Sequence, residues 1–461
     1  MVAIKLVLLF FQSEGLQGGM DSYNHYLIAK YSFKHPALLL DYWGKPVYNF
    51  IASPFTQFGL AGSVYLNIFC LLGSAYFCFK IAKILGSKIP LLAFFLCLLS
   101  PIFLDHTISS LTEPLNAFLL SWTLYLMASN RILAGALLAG FLPFARSEGF
   151  IIAAVIGLYL ILFKKNYKAV LFLLLGSVIL NFAGWIIEGK PFWIITENPY
   201  LKFELSGDNI CGSGSFIHYF RWGHVTFGLI TCLLLVISIV YAVKDTLAKK
   251  ANEFILLITT VFIAYFGAHA LIWGLGMMGS CGYIRVMTVV APIAAILAAV
   301  AFERFMSVFN KKVHWVVLIL LLANAIYAPY KYYEYRYPVE ISQEQKEFTK
   351  VYNWLKNSEY SNDVWAYMYP YLSLISDRDP WDKEEHIELW STSLPYMDKG
   401  TIIIWDAHFG QNEGQIAPET LMENPEYELI QQFKPEESFT TQNNYPFHIM
   451  VFKKLSAKKE S

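Results

Sequence analysis

Between Leu60 and Ala328 the sequence is a succession of apolar runs, most of them roughly 16 to 22 residues long, separated by short charged stretches. A helix of that length crosses roughly 30 Å of hydrocarbon, and inside a bilayer only helices and closed barrels satisfy their own backbone polar groups. The chain is therefore expected to be an α-helical polytopic membrane protein. Spans are expected near 60–79, 89–104, 111–128, 132–144, 150–163, 169–187, 225–243, 254–273, 284–302 and 313–327. A shorter run at 2–11 carries Lys5 and is followed by no small-residue cleavage site, so it reads as an anchor and brings the total to about eleven.

After Tyr330 the texture turns charged and mixed. About 130 residues remain, a usual size for one small domain. A helical stretch at 342–355 and strand-like runs at 364–368, 401–405 and 448–452, with Asp, Gly and Asn turns between them, describe a soluble α/β domain. The expected division is a membrane domain over 1–330, with a long first external loop at 12–59, and a soluble domain over 331–461. Lys plus Arg and Asp plus Glu number 35 each, giving zero net charge; with no basic stripe and no zinc-finger spacing, nucleic acid is not expected as a partner.

Cytoplasmic loops collect Lys and Arg. Alternate loops hold Lys80, Lys83 and Lys88; Arg131; Lys164, Lys165 and Lys168; Lys244, Lys249 and Lys250; and Arg304, Lys311 and Lys312. The opposite loops are longer but sparser, with Arg146 and Arg285 standing alone. The first set reads as cytoplasmic, which puts the 12–59 loop, the 188–223 segment and the tail on the extracytoplasmic side. No Asn-x-Ser/Thr sequon occurs, which favours a bacterial inner membrane over the secretory pathway. Cys70, Cys78, Cys97 and Cys232 fall in apolar runs, whereas Cys211 and Cys281 fall in external loops, where an oxidising compartment permits a disulfide if the fold brings them together.

Ionisable residues gather on that external side. The first loop reads Gly19-Met20-Asp21-Ser22-Tyr23-Asn24-His25-Tyr26, then His35-Pro36, then Asp41-Tyr42-Trp43-Gly44-Lys45-Pro46. It is expected to form two short helices along the membrane surface, one after Gly18-Gly19 and one opened by Lys45-Pro46, because tyrosine and tryptophan suit the headgroup level. The next turn reads Asp105-His106-Thr107-Ile108-Ser109-Ser110-Leu111-Thr112-Glu113-Pro114, and a later one Phe144-Ala145-Arg146-Ser147-Glu148-Gly149. An Arg-x-Glu at membrane depth is costly and marks a site by default, unless it is simply a local Arg146–Glu148 pair. The Gly/Ser-rich stretch Cys211-Gly212-Ser213-Gly214-Ser215, followed by His218, offers backbone amides to a phosphate or sugar, or else is a flexible gate.

The first loop resembles the GT-C membrane glycosyltransferases, whose protein O-mannosyltransferase and aminoarabinose-transferase branches place an acid just after the first span and an Asp-x-His-Pro-Pro or Lys-Pro-Pro motif before the second. The many spans, the long first loop and the C-terminal extracytoplasmic domain are similar too. Here a single proline follows Gly44-Lys45, a departure from that pattern. The resemblance implies transfer of a sugar, mannose or another hexose, from a polyprenyl-phosphate carrier to a glycan, lipid or protein acceptor, with inversion. It gives Asp21 the role of general base, where its alternative is an N-cap of the Tyr23 helix. It gives Arg146, Lys45 and Arg285 the donor phosphate, with an interfacial snorkelling lysine as the alternative for Lys45. Asp105 and His106 become acceptor or metal helpers, and Asp41, His25, Glu113, Glu148 and His218 line the substrate. If a divalent metal ion is the cofactor, Asp21, Asp105 and His106 are its expected donors, although no ligand spacing is diagnostic. His269, inside a span, reads as a packed or pore-facing residue rather than a ligand. Rival readings are a transporter or flippase of a lipid-linked glycan, a glycan ligase or polymerase using diphosphate-linked donors, and a non-catalytic glycan-binding subunit. A transporter would carry its polar residues near midplane, whereas these gather at one face.

Overall fold

A computed structural model describes residues 13–201, 211–307, 309, 311–333, 338–441 and 444–456; the expected anchor at 2–11 lies outside them. The helices that position the site are α1 (Gly19–Tyr31), α2 (Pro46–Thr56), α3 (Leu60–Ile84), α4 (Pro90–Leu98), α5 (Glu113–Ala128), α6 (Ile132–Ala139), α7 (Gly149–Leu162) and α8 (Tyr167–Glu188). They are followed by α9 (Leu229–Leu247), α10 (Glu253–Leu275), α11 (Ala291–Met306), α12 (Lys311–Tyr333) and α13 (Gln343–Lys356). Five stretches are long and apolar enough to cross a membrane: α3, α8, α9, α10 and Ile284–Met306. Shorter apolar helices lie at Ile132–Ala145, Gly149–Leu162 and Trp315–Ala328. The protein is a polytopic helical membrane protein with a small sheet-containing domain.

Local chemistry sets the helix ends. Asn166 accepts from Ala169 N–H at the start of α8, and Asn252 from Phe254 and Ile255 N–H at the start of α10. Proline stands in the first turn of α2, α4, α5 and α11, where its missing N–H costs nothing. Inside an apolar run the same residue interrupts. The expected span 89–104 divides at Pro101 into α4 and a turn at Pro101–Asp105, and 132–144 divides into α6 and a turn at Leu142–Ala145 that contains Pro143. Helix α11 is the centre of the membrane unit, since its face of Ala294, Ala295, Ala298 and Ala299 is buried to within 1%. Small side chains let neighbouring backbones approach, and Gly140 and Gly176 do the same where α6 meets α8.

Contacts divide the chain into Ile28–Pro338 and a second unit in which Ser13–Leu27 joins Val339–Ser461. In that second unit the N–H groups of Glu14 and Gly15 both donate to the Val339 carbonyl at 3.0 Å. The Val339 N–H returns a bond to Ser13 Oγ at 2.9 Å, and Tyr23 packs edge-on against Tyr371 with centroids 5.5 Å apart. The first turns of α1 thus belong with the tail, and Tyr23, Tyr26 and Leu27, expected at a lipid headgroup, are at most 3% exposed within the protein.

The tail sheet has five strands, β1 (Trp365–Tyr367), β2 (His386–Glu388), β3 (Ile402–Asp406), β4 (Tyr427–Phe433) and β5 (Ile449–Lys454), in the order β2-β1-β3-β5-β4. β1 pairs in parallel with β2 and β3, and β5 pairs antiparallel with β3 and β4. β3 reads Ile-Ile-Ile-Trp-Asp and is buried throughout, as suits a central strand covered on both faces. The capping box of Ser342 and Gln345 starts α13, which lays Phe348, Val351 and Leu355 into the core.

Candidate active site

Helix starts converge in the membrane unit. Glu113 is the first residue of α5, Glu148 is the N-cap of α7, Lys45 is the N-cap of α2, and Arg285 lies in the 3-10 turn Ile284–Val290 that leads into α11. The exposed N–H groups and dipoles at such ends favour acids and anions. The acids are already partnered. Arg146 Nη1 lies 2.8 Å from Glu113 Oε1 and donates to Thr112 Oγ1 at 3.0 Å. Its Nη2 and Nε donate to the two oxygens of Glu148 at 2.7 and 3.2 Å. Arg285 Nε approaches Glu113 Oε1 at 3.3 Å, its guanidinium carbon sits 4.6 Å from the Tyr283 ring centroid, and His269 Nε2 lies 3.8 Å from Glu148. Glu113 is fully buried and the Arg146 side chain 11% exposed, so each charge survives because the others do.

Lys45 belongs to the same group. It is 3% exposed, with Arg146, Glu148, Asp41 and Glu113 as its electrostatic neighbours. Nζ donates to the Tyr42 carbonyl at 3.1 Å and lies 4.8 Å from the Tyr200 ring centroid, so this ammonium does not snorkel to a headgroup. Burial first, and the Arg146 charge second, push its pKa down to about 8. Its backbone sits at φ 68°, ψ 105°, a conformation L-residues adopt rarely and at a cost of roughly 1–3 kcal/mol. Asp41 shapes the turn before it, accepting from Gly44 N–H at 2.5 Å; burial raises its carboxyl above the usual range against the pull of that bond and of Lys45.

Asp105 and His106 are 4% and 5% exposed, in and after the turn broken by Pro101. His106 Nδ1 bonds the Ile102 carbonyl at 2.7 Å. Asn67 of α3 ties this turn down through the carbonyls of His106 and Ser109. His218 is pinned through Nε2 to the Gly282 carbonyl at 2.8 Å, beside the disulfide that joins Cys211 to Cys281 with Cα atoms 5.0 Å apart. Among the described residues no three His, Cys, Asp or Glu side chains gather as metal donors.

At the other ends of the same helices lies a separate set of ion pairs: Lys164 with Glu253 at 2.8 Å, and Arg304 with Asp245 at 2.5 and 2.9 Å. The two sets of ion pairs thus stand at opposite ends of apolar helices, as two water-facing surfaces require.

Asp21 and His25 stand on α1 in the tail unit. Asp21 contributes to the field around Glu413, and with Glu413 come Asp406, His408 and Glu344. None of these last four stands out in the sequence. The one available signal is the polar run Asp406-Ala407-His408 directly after a buried strand, where open α/β sheets place functional groups.

By sequence the chain matches no protein-family model and no curated protein. By structure it is similar to ArnT from Cupriavidus metallidurans bound to undecaprenyl phosphate, with a TM-score of 0.60 and 11% identity over 98% of this chain and 97% of that one. The apo state of the same protein gives 0.57, at 12% identity over 98% and 96%. The Archaeoglobus fulgidus oligosaccharyltransferase tethered with an acceptor peptide gives 0.51, at 12% identity over 80% of this chain and 60% of that one. The likeness is one of fold: this chain shares the fold of these neighbours.

Proposed function

We propose that the protein is a membrane glycosyltransferase that takes a sugar, mannose or another hexose, from a polyprenyl-phosphate carrier and passes it to an acceptor on the extracytoplasmic side of a bacterial inner membrane. The observation that carries this reading is the convergence of Lys45, Arg146 and Arg285, buried or partly buried near helix starts, in a chain whose fold follows ArnT along nearly its whole length. Helix N-termini and three cations suit a lipid phosphate. Because Arg146 is committed to Glu113, Glu148 and Thr112, its part is to hold the two acids in place, while Lys45 and Arg285 meet the phosphate. Asp21 acts as the base: the acceptor oxygen bonds to the anomeric carbon as its proton passes to Asp21, and the bond to the carrier phosphate breaks with its electron pair leaving on phosphate. One displacement inverts the centre. Asp105 and His106, with Asp41, His25, Glu148 and His218, shape the space for sugar and acceptor.

The test uses full-length protein in liposomes with radiolabelled polyprenyl-phosphate sugar and a membrane extract as acceptor. Asp21→Asn is expected to lower transfer by about 10²- to 10⁴-fold, the usual contribution of a general base. Undiminished transfer would remove Asp21 from the chemistry, and donor crossing the bilayer without transfer would replace the enzyme by a flippase.

A further inference from the structure

Of the two cations given to the phosphate, Lys45 opens a helix, whereas Arg285 follows a loop. Helix α10 is capped by Gly276, and the chain reaches the 3-10 turn Ile284–Val290 through the loop 277–283. The Met277 N–H donates back to the Ile272 carbonyl at 3.0 Å and the Ser280 N–H to that of Met277 at 3.1 Å, which shapes the first half of the loop. The second half, Cys281-Gly282-Tyr283, is held from outside. Cys281 is bonded to Cys211, 70 residues earlier in the chain. The Gly282 carbonyl accepts from His218 Nε2 at 2.8 Å. Gly282 also lies on the Trp273 indole, where a Cβ would come within 2.7 Å of the ring, and its φ of +67° favours glycine.

The segment on the other side of the disulfide is the Gly/Ser-rich stretch whose amides could have met a phosphate. The Gly214 amide is instead taken up by the Trp273 carbonyl, to which it donates at 3.0 Å, and a Cβ at Gly214 would stand 2.1 Å from the indole. The Phe216 ring lies against Gly274 in the same close way. The His218 N–H donates to the Ser215 carbonyl at 3.0 Å, and its ring stands edge-on to Trp273 with centroids 6.0 Å apart. The stretch 211–218 is thus a clasp that closes over the last turn of α10 and grips the loop beyond it at Cys281 and Gly282. From there the connection to the charged site is short. The Arg285 guanidinium carbon sits 4.6 Å from the Tyr283 ring centroid, and its Nε lies 3.3 Å from Glu113 Oε1. The next carbonyl, that of Val286, accepts from the Tyr265 hydroxyl of α10 at 3.0 Å.

We propose that this clasp, locked by the Cys211–Cys281 disulfide, sets Arg285 for the donor phosphate and makes donor binding depend on an oxidising compartment. The proposal rests on the reading of Arg285 as a phosphate contact. Cys211, Cys281 and His218 act through Arg285 and are positioning residues. The cause is conformational entropy. A cross-link between distant points of the chain removes conformations from the loop, so the guanidinium meets the phosphate already placed. With the link open, the loop must be ordered as the phosphate binds, and that cost is subtracted from affinity. Opening it is a balanced exchange: dithiothreitol gives two electrons and two protons to the disulfide, two thiols form, and dithiothreitol leaves as its cyclic disulfide. Both cysteines are partly exposed, so a small thiol reaches them. A site built this way is complete only where disulfides persist, which is the side of the membrane that the proposed function gives it.

The test titrates undecaprenyl phosphate into the full-length protein in nanodiscs, oxidised or reduced with dithiothreitol, with the state of the Cys211–Cys281 pair confirmed by mass spectrometry. Reduction is expected to weaken binding to the wild type about tenfold, and Cys211→Ser to bind about tenfold more weakly in either condition. His218→Phe keeps the disulfide and a ring but loses the bond to Gly282, and is expected to weaken binding about three- to tenfold. The comparison that isolates positioning is made in Arg285→Ala, where neither reduction nor His218→Phe is expected to weaken binding further, because the group they misplace is gone. A loss on reduction as large in Arg285→Ala as in the wild type would show a general loosening of the fold and overturn the proposal, even if Cys211→Ser failed to fold. Wild-type binding unchanged by reduction, with Arg285→Ala weaker, would overturn the clasp and leave the phosphate site standing. Arg285→Ala binding as tightly as the oxidised wild type would overturn the phosphate reading itself, and the clasp with it.

Discussion

The two charged groups of this molecule solve the same problem in opposite ways. In the membrane unit Glu113, Glu148, Arg146 and Arg285 interlock at 2.7 to 3.3 Å, and acid and base cancel side chain by side chain. In the tail unit Asp406, Glu413 and Glu344 surround a single His408, so acids outnumber bases. Where little water reaches, a charge persists only with a partner, and the group is locked in one protonation pattern. Where burial is not matched by cations, surplus carboxyls protonate instead and the group can exchange protons. The first arrangement suits holding an anion in place, the second suits exchanging protons.

Changing acid to amide in each group gives the sharpest contrast. Glu113→Gln leaves the partly buried Arg146 and Arg285 with one carboxylate fewer, and the membrane unit is expected to lose about 3–5 kcal/mol, read as a large fall in thermal stability at every pH tested. An unchanged Tm would break the contrast at its stronger end. The same kind of change in the tail unit has the opposite sign. Asp406 is fully buried and its pKa is raised to about 6, by burial before any other cause, against the pull of two N–H bonds. A raised folded value stabilises fully below the unfolded value near 4 and loses that stabilisation as pH rises through about 6. Asp406→Asn is therefore expected to be on the order of 1–3 kcal/mol more stable than wild type at pH 8 and to flatten the pH dependence, measured by hydrogen exchange of the β3 amides. A destabilised variant at pH 8 would show that the carboxylate is held ionised after all.

Lys45 lies between these extremes, buried among charges but at the edge of the group. Lys45→Met keeps the volume and removes the ammonium, and donor KM is expected to rise about tenfold, some 1.4 kcal/mol of phosphate contact. The wild type should lose donor affinity as pH rises through about 8, where the ammonium deprotonates, and the variant should show no such limb. Identical alkaline limbs would take Lys45 out of the site.

How much of this is visible in the sequence depends on how each feature is encoded. The spans are legible because apolar runs of membrane length have few other uses. Their interruptions at Pro101 and Pro143 follow from the missing N–H. Arg146, Glu113 and Arg285 could each be singled out as isolated charges flanking apolar helix. Their mutual pairing could not, because helix packing rather than spacing along the chain sets it. The burial of Tyr23 and Tyr26 was obscured by the same amphipathic chemistry that suits a headgroup. Glu344, Asp406, His408 and Glu413 look like ordinary surface polars until the sheet order brings the carboxyl ends of β2 and β3 together. The strained φ of Lys45 has no sequence signature, since glycine is the residue that normally marks such a position.

The account stands on a lipid-phosphate site at the helix starts of the membrane unit, and binding tests it without any need for acceptor or turnover. Undecaprenyl phosphate titrated into the full-length protein in nanodiscs is predicted to bind wild type at least tenfold more tightly than Arg285→Ala or Lys45→Met, with affinity falling above pH 8 only where Lys45 is present. Equal affinity for all three proteins, flat with pH, would contradict it.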